Sequence, residues 1–153
     1  MYTVAKFVHI FGVVLLLGNF IVTALWKTRA DRTGTPTAIA FAQRAVVQAD
    51  RAFTVPGILL ILVGGYAMAL RRPFPLHGLP WLDWGQGLFY AAVLIWLGLM
   101  VPSQRRLVEL TAGGHAPDLG GSEFRRVSRR WAMGGGIATL LLVVVLYLMV
   151  TKP

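Results

Sequence analysis

Four long apolar stretches constrain the fold of this chain more than any other feature of its sequence. They cover about residues 4–26, 52–70, 84–101 and 131–150, and the first is interrupted by Lys6, His9 and Asn19. Each stretch is long enough to cross a hydrocarbon core of roughly 30 Å. Because backbone groups in lipid must find their hydrogen bonds within the segment, each stretch should be helical. The sequence therefore predicts an all-α, four-transmembrane-helix bundle that forms a single domain over residues 1–153.

Composition excludes several classes of protein. Charged residues make up 14% of the chain, against about 25% in a soluble domain. The chain has no cysteine, which excludes disulfides, thiolate metal sites, cysteine nucleophiles and covalently attached c-type haem. It also lacks a P-loop, a dinucleotide-binding fingerprint and an HExxH motif.

The basic residues predict how the bundle lies in the membrane. Most of the net charge of +9 falls between the first and second spans and between the third and fourth. The positive-inside rule then places both termini outside, in a bacterial inner (cytoplasmic) membrane. No soluble basic module is present, so nucleic acid is not expected as a partner. The inner residues are Lys27, Arg29, Arg32, Arg44, Arg51, Arg105, Arg106, Arg125, Arg126, Arg129 and Arg130, and the outer ones are Lys6, Arg71, Arg72 and Lys152.

The segments between the spans differ in character. Residues 35–49 read as an amphipathic helix with Pro36 in its first turn, continuous with the second span. Pro56 and Gly57 predict a kink in that span and a freed carbonyl group. Glycines and Pro117 predict a flexible turn after the third span, and Ser122 a helix start that leads into the fourth.

His9 is the residue that most suggests chemistry. It is the only histidine within a predicted span, in the outer part of the first helix. Ionisable residues at membrane depth usually face the interior of the bundle. A neutral imidazole there can ligate haem iron or another metal through one nitrogen while the other donates a hydrogen bond. The alternative is a histidine that only hydrogen-bonds a neighbouring helix.

The outer ends of the other spans offer partners for such a site. A second axial ligand could come from His77 in the outer loop, from Met68, or from His9 of a second subunit, and a five-coordinate haem on His9 alone is equally possible. Lys6, Arg71 and Arg72 could meet haem propionates or, alternatively, lipid headgroups. Other outer side chains at this depth are Tyr66, Gln86, Tyr90, Tyr147 and Met149.

Polar residues at the inner side offer a second candidate. Asp50 and Arg51 could form a proton or ion relay, or they could anchor the second span at the interface while Arg51 snorkels. Asn19 is expected to hydrogen-bond across helices as structural glue.

Short motifs resemble known membrane families. VAKFVHIFGVVLLLG, with Lys6, His9 and Gly18, resembles the first helix of HemJ-type protoporphyrinogen oxidases and of CopD-like membrane domains. The outer WLDW and the terminal TKP are also similar to that group. With ADRAFTVPG and VPSQRR, the whole chain more closely resembles a family of bacterial four-helix membrane proteins of unknown function.

The resemblance implies that His9 is a haem ligand, but it departs at the third span. The HemJ group has a lysine there, where this chain reads Asp83, Trp84 and Gly85, which puts the oxidase activity in doubt. The leading hypothesis is a haem b protein that exchanges electrons with a quinone or a periplasmic partner, with His9 as axial or metal ligand and Lys6 and Arg71 at the propionates. A homodimer or larger complex is expected. The alternatives are a non-catalytic accessory subunit of a membrane complex and a small transporter or copper-handling protein that uses Met68 and Met149.

Overall fold

The described part of the protein is all-α. The structure is a computed structural model that describes residues 1–71, 78–112 and 121–152, and these contain helices but no strand. Four helices are long and apolar enough to cross a membrane, which confirms the predicted fold class. They are α1 (Tyr2–Thr33), α2 (Pro36–Ala69), α3 (Pro80–Thr111) and α4 (Ser122–Thr151).

Each helix is longer than a bilayer core is thick. Helices of 30 to 34 residues are about 45–51 Å long, against roughly 30 Å of hydrocarbon. The extra turns lie mostly at one end of the bundle. We call this the basic end, because it contains the α1–α2 turn and the arginine-rich start of α4. The opposite end, which we call the terminal end, contains residue 1, residue 152 and the start of α3.

The α1–α2 turn follows from two residues. Gly34 adopts φ 66°, the left-handed conformation that ends many helices and that glycine adopts without steric cost. Pro36 then occupies the first turn of α2, where its missing N–H is no loss. The helix predicted over residues 35–49 is confirmed, and it continues into the second span as expected.

Both α2 and α3 contain one π-helical turn. These turns are Asp50–Thr54 in α2 and Trp96–Met100 in α3, and each is followed directly by a Val-Pro pair. A proline inside a helix lacks an N–H and collides with the carbonyl four residues earlier. The wider turn relieves that conflict, so the distortion predicted at Pro56 is present as a π turn, and Pro102 has a second one.

Glycines bring α1 and α2 into close contact. A Cβ atom on Gly12 would lie 2.8 Å from the carbonyl oxygen of Gly57, and one on Gly64 would lie 2.6 Å from the backbone nitrogen of His9. Small residues allow such close approach between membrane helices. The helix pair with the closest packing is therefore α1 with the second half of α2, and α3 packs mainly against α4.

The outer surface of the bundle is apolar. Within the apolar window of each helix, only 17–28% of the residues are buried inside the protein. Phe7, Val14, Leu94 and Leu140 are examples of large side chains that face outward. This pattern is expected when lipid covers the outside of a bundle.

Candidate functional site

The site at the terminal end is built around His9. The backbone of α1 approaches α2 at Gly64. This contact sets the imidazole of His9 against the turn of α2 that precedes Gly64. His9 Nδ1 lies 2.8 Å from the carbonyl oxygen of Ile61, and the side chain is half-buried. His9 therefore joins two helices through a hydrogen bond to the backbone.

This hydrogen bond selects the tautomer of the imidazole. A carbonyl oxygen only accepts, so Nδ1 must carry the proton and donate it to Ile61. In the neutral ring, Nε2 then holds a free lone pair. The same arrangement, one ring nitrogen donating to a backbone carbonyl and the other free to ligate, is typical of metal-binding histidines.

His9 lines a cleft of about 530 Å³ at the terminal end. All four helices contribute to its walls, which are mainly apolar. The side chains that bear polar or sulfur atoms are Tyr2, Lys6, His9, Tyr66, Met68, Trp81, Gln86, Tyr90, Met149 and Lys152. The cleft is therefore large enough for a small organic cofactor, for which pockets usually measure 300–1,000 Å³.

Two pairs of residues order the walls of this cleft. The hydroxyl oxygens of Tyr66 and Tyr90 lie 2.7 Å apart and link α2 to α3. The ammonium group of Lys152 lies 5.7 Å from the centre of the Trp81 ring, which links the end of α4 to the start of α3. The cleft thus has hydrogen-bonding groups on α2 and α3 and a cation directly after the end of α4.

The structure brings together three of the five predicted site residues. Lys6, His9 and Met68 all line the cleft. Arg71 lies outside its lining, with Nη1 3.3 Å from the sulfur of Met1. His77 and Arg72 fall outside the described residues.

Sequence reasoning missed Lys152 as a cleft residue. The signal available was topological, because an even number of spans places residue 152 at the same end as His9. The predicted flexible turn after α3 also lies outside the described residues, whereas the predicted helix start at Ser122 is confirmed.

A second polar site lies nearer the basic end, around Asp50. This carboxylate is 6% exposed and accepts four hydrogen bonds. Oδ1 accepts from Asn19 at 2.9 Å and Thr54 at 2.8 Å, whereas Oδ2 accepts from Trp96 at 2.8 Å and Gln104 at 2.7 Å. The donors come from α1, α2 and α3, so Asp50 holds three helices together.

The π turns explain how these donors converge. Asp50 and Thr54 belong to the π turn of α2, and Trp96 begins the π turn of α3. The expected role of Asn19 in joining helices agrees with its hydrogen bond to Asp50. Asp50 is buried, so the interpretation of this residue as an interfacial anchor does not fit the structure. Arg51, in contrast, is exposed on the surface of the bundle.

A third polar group lies at the basic end of α1. Lys27 is 2% exposed and donates to Asp31 and to the hydroxyl of Ser128 on α4, the latter at 2.6 Å. Its ammonium lies 5.1 Å from the centre of the Trp131 ring. This group ties α1 to α4.

Among the described residues, no group of three or more histidine, aspartate or glutamate side chains could hold a metal ion.

Comparison with known proteins identifies a family. No curated protein and no solved structure matches the chain. A family model described as "Predicted integral membrane protein (DUF2269)" matches residues 3–153. This chain therefore belongs to the DUF2269 family of predicted integral membrane proteins.

Proposed function

We propose that this protein binds haem b in the terminal-end cleft and has an electron-transfer or redox role in a bacterial cytoplasmic membrane. The observation that carries the proposal is the hydrogen bond from His9 Nδ1 to the carbonyl oxygen of Ile61. It holds the ring in the tautomer whose Nε2 can ligate iron, inside a largely apolar cleft.

The charges of the cleft support an anionic cofactor. Lys6 and Lys152 are exposed cations that line it, and either could pair with a propionate. Lys152 lines the cleft and Arg71 does not, so we assign to Lys152 the propionate-pairing role that the sequence suggested for Arg71. A second ligand to the haem would come from Met68, from His77 or from His9 of a second subunit.

Bound haem b would supply one-electron redox chemistry, and the chain's own residues would set its environment. His9 would hold it, the lysines would orient its acidic edge, and the Tyr66–Tyr90 pair would offer hydroxyl groups beside it. Electron exchange with a quinone or with a membrane partner is part of the same proposal, because the helices that line the cleft also carry exposed apolar side chains.

A difference absorption spectrum tests the proposal. The full chain is expressed with haem precursor and purified in detergent, and dithionite-reduced and oxidised spectra are compared for wild type, His9→Ala and His115→Ala. His115 is the matched control, because it is a histidine that falls outside the four predicted spans in the sequence. We expect a haem b spectrum in wild type and His115→Ala, and its loss in His9→Ala.

A specific observation favours a second candidate, a soft-metal site. His9, Met68 and Met149 line the same cleft, and imidazole with thioether sulfur suits Cu(I). A flat spectrum in all three proteins would reject haem binding. If Cu(I) then raised the melting temperature of wild type but not of His9→Ala, the copper-handling function would be favoured. If the protein bound neither haem nor Cu(I), the accessory-subunit hypothesis would be favoured. The next step would then be to identify the proteins that co-purify with it.

A further inference from the structure

A second concave surface lies at the basic end, beside the start of α4. It is a shallow groove, and most of its wall is a single face of α4. We call it the arginine groove, and its residues are Leu99, Ser122, Arg125, Arg126, Arg129, Arg130, Met133 and Ile137.

The positive charge of the arginine groove is not neutralised by any described residue of the protein. Its four arginines are exposed, and no carboxylate among the described residues pairs with them. Glu123, the acidic residue nearest in sequence, accepts from Arg106 of α3 at 2.6 Å. This bond directs the glutamate to α3, so that within the described ranges all four guanidinium groups of the groove lack a carboxylate partner.

The groove changes from charged to apolar along α4. Beyond Arg130, the groove residues on α4 are Met133 and Ile137, and the latter lies about 10 Å further along the helix axis. Leu99 lies against Gly134 of α4, where the π turn of α3 presents it. Charge therefore borders the start of the membrane-crossing part of α4, and apolar side chains continue into it.

A phospholipid has the same arrangement of parts. Its phosphate lies at the edge of the hydrocarbon core, and its acyl chains run inward. Guanidinium groups pair well with phosphate oxygens, because their planar donors match them two at a time. Basic pockets between membrane helices bind anionic lipid headgroups by this chemistry.

We propose that the arginine groove is a binding site for one anionic phospholipid, with the phosphate held by the α4 arginines and an acyl chain against Met133 and Ile137. A charge bias that only set the orientation in the membrane would not need a groove beside the arginines. The site lies at the end of the bundle opposite to the His9 cleft and does not depend on what that cleft binds.

Native mass spectrometry of the full chain tests this site. Phosphatidylglycerol or phosphatidylcholine with identical acyl chains is added to the detergent-solubilised protein, and bound lipid is counted. The groove variants are Arg126→Gln/Arg129→Gln and Arg125→Gln/Arg130→Gln. The control is Arg29→Gln/Arg32→Gln, which removes the same charge from exposed positions at the same end of the bundle. A melting temperature equal to that of wild type shows that a variant is folded. Two groove variants are used so that the test still stands if one of them does not fold.

We expect wild type and control to retain one phosphatidylglycerol in preference to phosphatidylcholine. The groove variants should lose about tenfold or more in phosphatidylglycerol affinity, because two arginines near the headgroup are removed. Equal losses in groove and control variants would overturn the site, as would equal binding of the two lipids by wild type. Displacement of the lipid by inorganic phosphate at the same concentration would also overturn it, because the site would then recognise the ion alone.

Discussion

At the scale of single residues, the clearest consequence of the structure concerns Asp50. Both carboxylate oxygens face donors only, and Trp96 and Gln104 flank one of them. Asp50→Asn would turn an amide NH₂ toward one of the two donor pairs. A buried donor left without an acceptor costs about 1–3 kcal/mol, so we expect a loss of roughly 2–5 kcal/mol in the free energy of unfolding.

Unfolding in mixed detergent measures this loss. Glu109→Gln is the matched control, because it makes the same acid-to-amide change at an exposed residue that pairs with Arg106. An exposed pair is worth about 0–1 kcal/mol, so the control should stay near wild type. If Asp50→Asn and Glu109→Gln were equally stable, the Asp50 carboxylate would not be the group that holds the three helices together.

The sequence predicted some of these residues and not others, for a physical reason. His9 and Asn19 could be singled out because a polar residue within an apolar span must find a partner inside the bundle. The burial of Asp50 could not, since three of its donors, Asn19, Trp96 and Gln104, are 31, 46 and 54 residues away in the chain. Only the packing of α1, α2 and α3 brings these residues together, and one sequence does not encode that packing as a visible pattern.

At the scale of the helices, the contact between α1 and α2 depends on Gly64. A Cβ atom there would also lie 2.8 Å from the backbone oxygen of Ala5, so the clash is with backbone that cannot rotate away. Gly64→Ala should therefore separate the two helices and weaken the bond from His9 to Ile61. Overpacking of this kind costs about 1–3 kcal/mol.

Gly18→Ala, also within this α1–α2 pair, is the control for thermal unfolding. No heavy atom lies within 4 Å of a Cβ at Gly18. Alanine there should leave the melting temperature unchanged or raise it, because it favours the helix by up to about 1 kcal/mol. A Gly64→Ala protein as stable as Gly18→Ala would contradict the close contact.

Helical elements were predictable to different degrees. Apolar runs predicted the four spans because lipid requires helices of that length, and Pro36 predicted the start of α2. The π form of the turns before Pro56 and Pro102 was not predicted, because a proline demands a local distortion without specifying which one. The choice follows from packing, in which Asp50 and Trp96 face each other across α2 and α3.

At the scale of the whole molecule, the two candidate sites lie at opposite ends of the bundle. Lys6, His9 and Lys152 belong to the terminal end, and the arginine groove belongs to the basic end. The positive-inside rule predicts that the basic end faces the cytoplasm. The His9 cleft would then face the outside, where it could meet a periplasmic partner, and the arginine groove would meet the inner leaflet.

Cysteine labelling tests this orientation, because the chain has no cysteine of its own. Thr3→Cys and Thr28→Cys each place one thiol at an exposed residue, the first at the terminal end and the second at the basic end. A membrane-impermeant maleimide should label Thr3→Cys in right-side-out vesicles and Thr28→Cys in inside-out vesicles. The physical reason is the excess of lysine and arginine that flanks the spans at the basic end, which resists translocation. The reverse pattern would place the His9 cleft on the cytoplasmic side, and the redox partner that we propose for it would then be sought there.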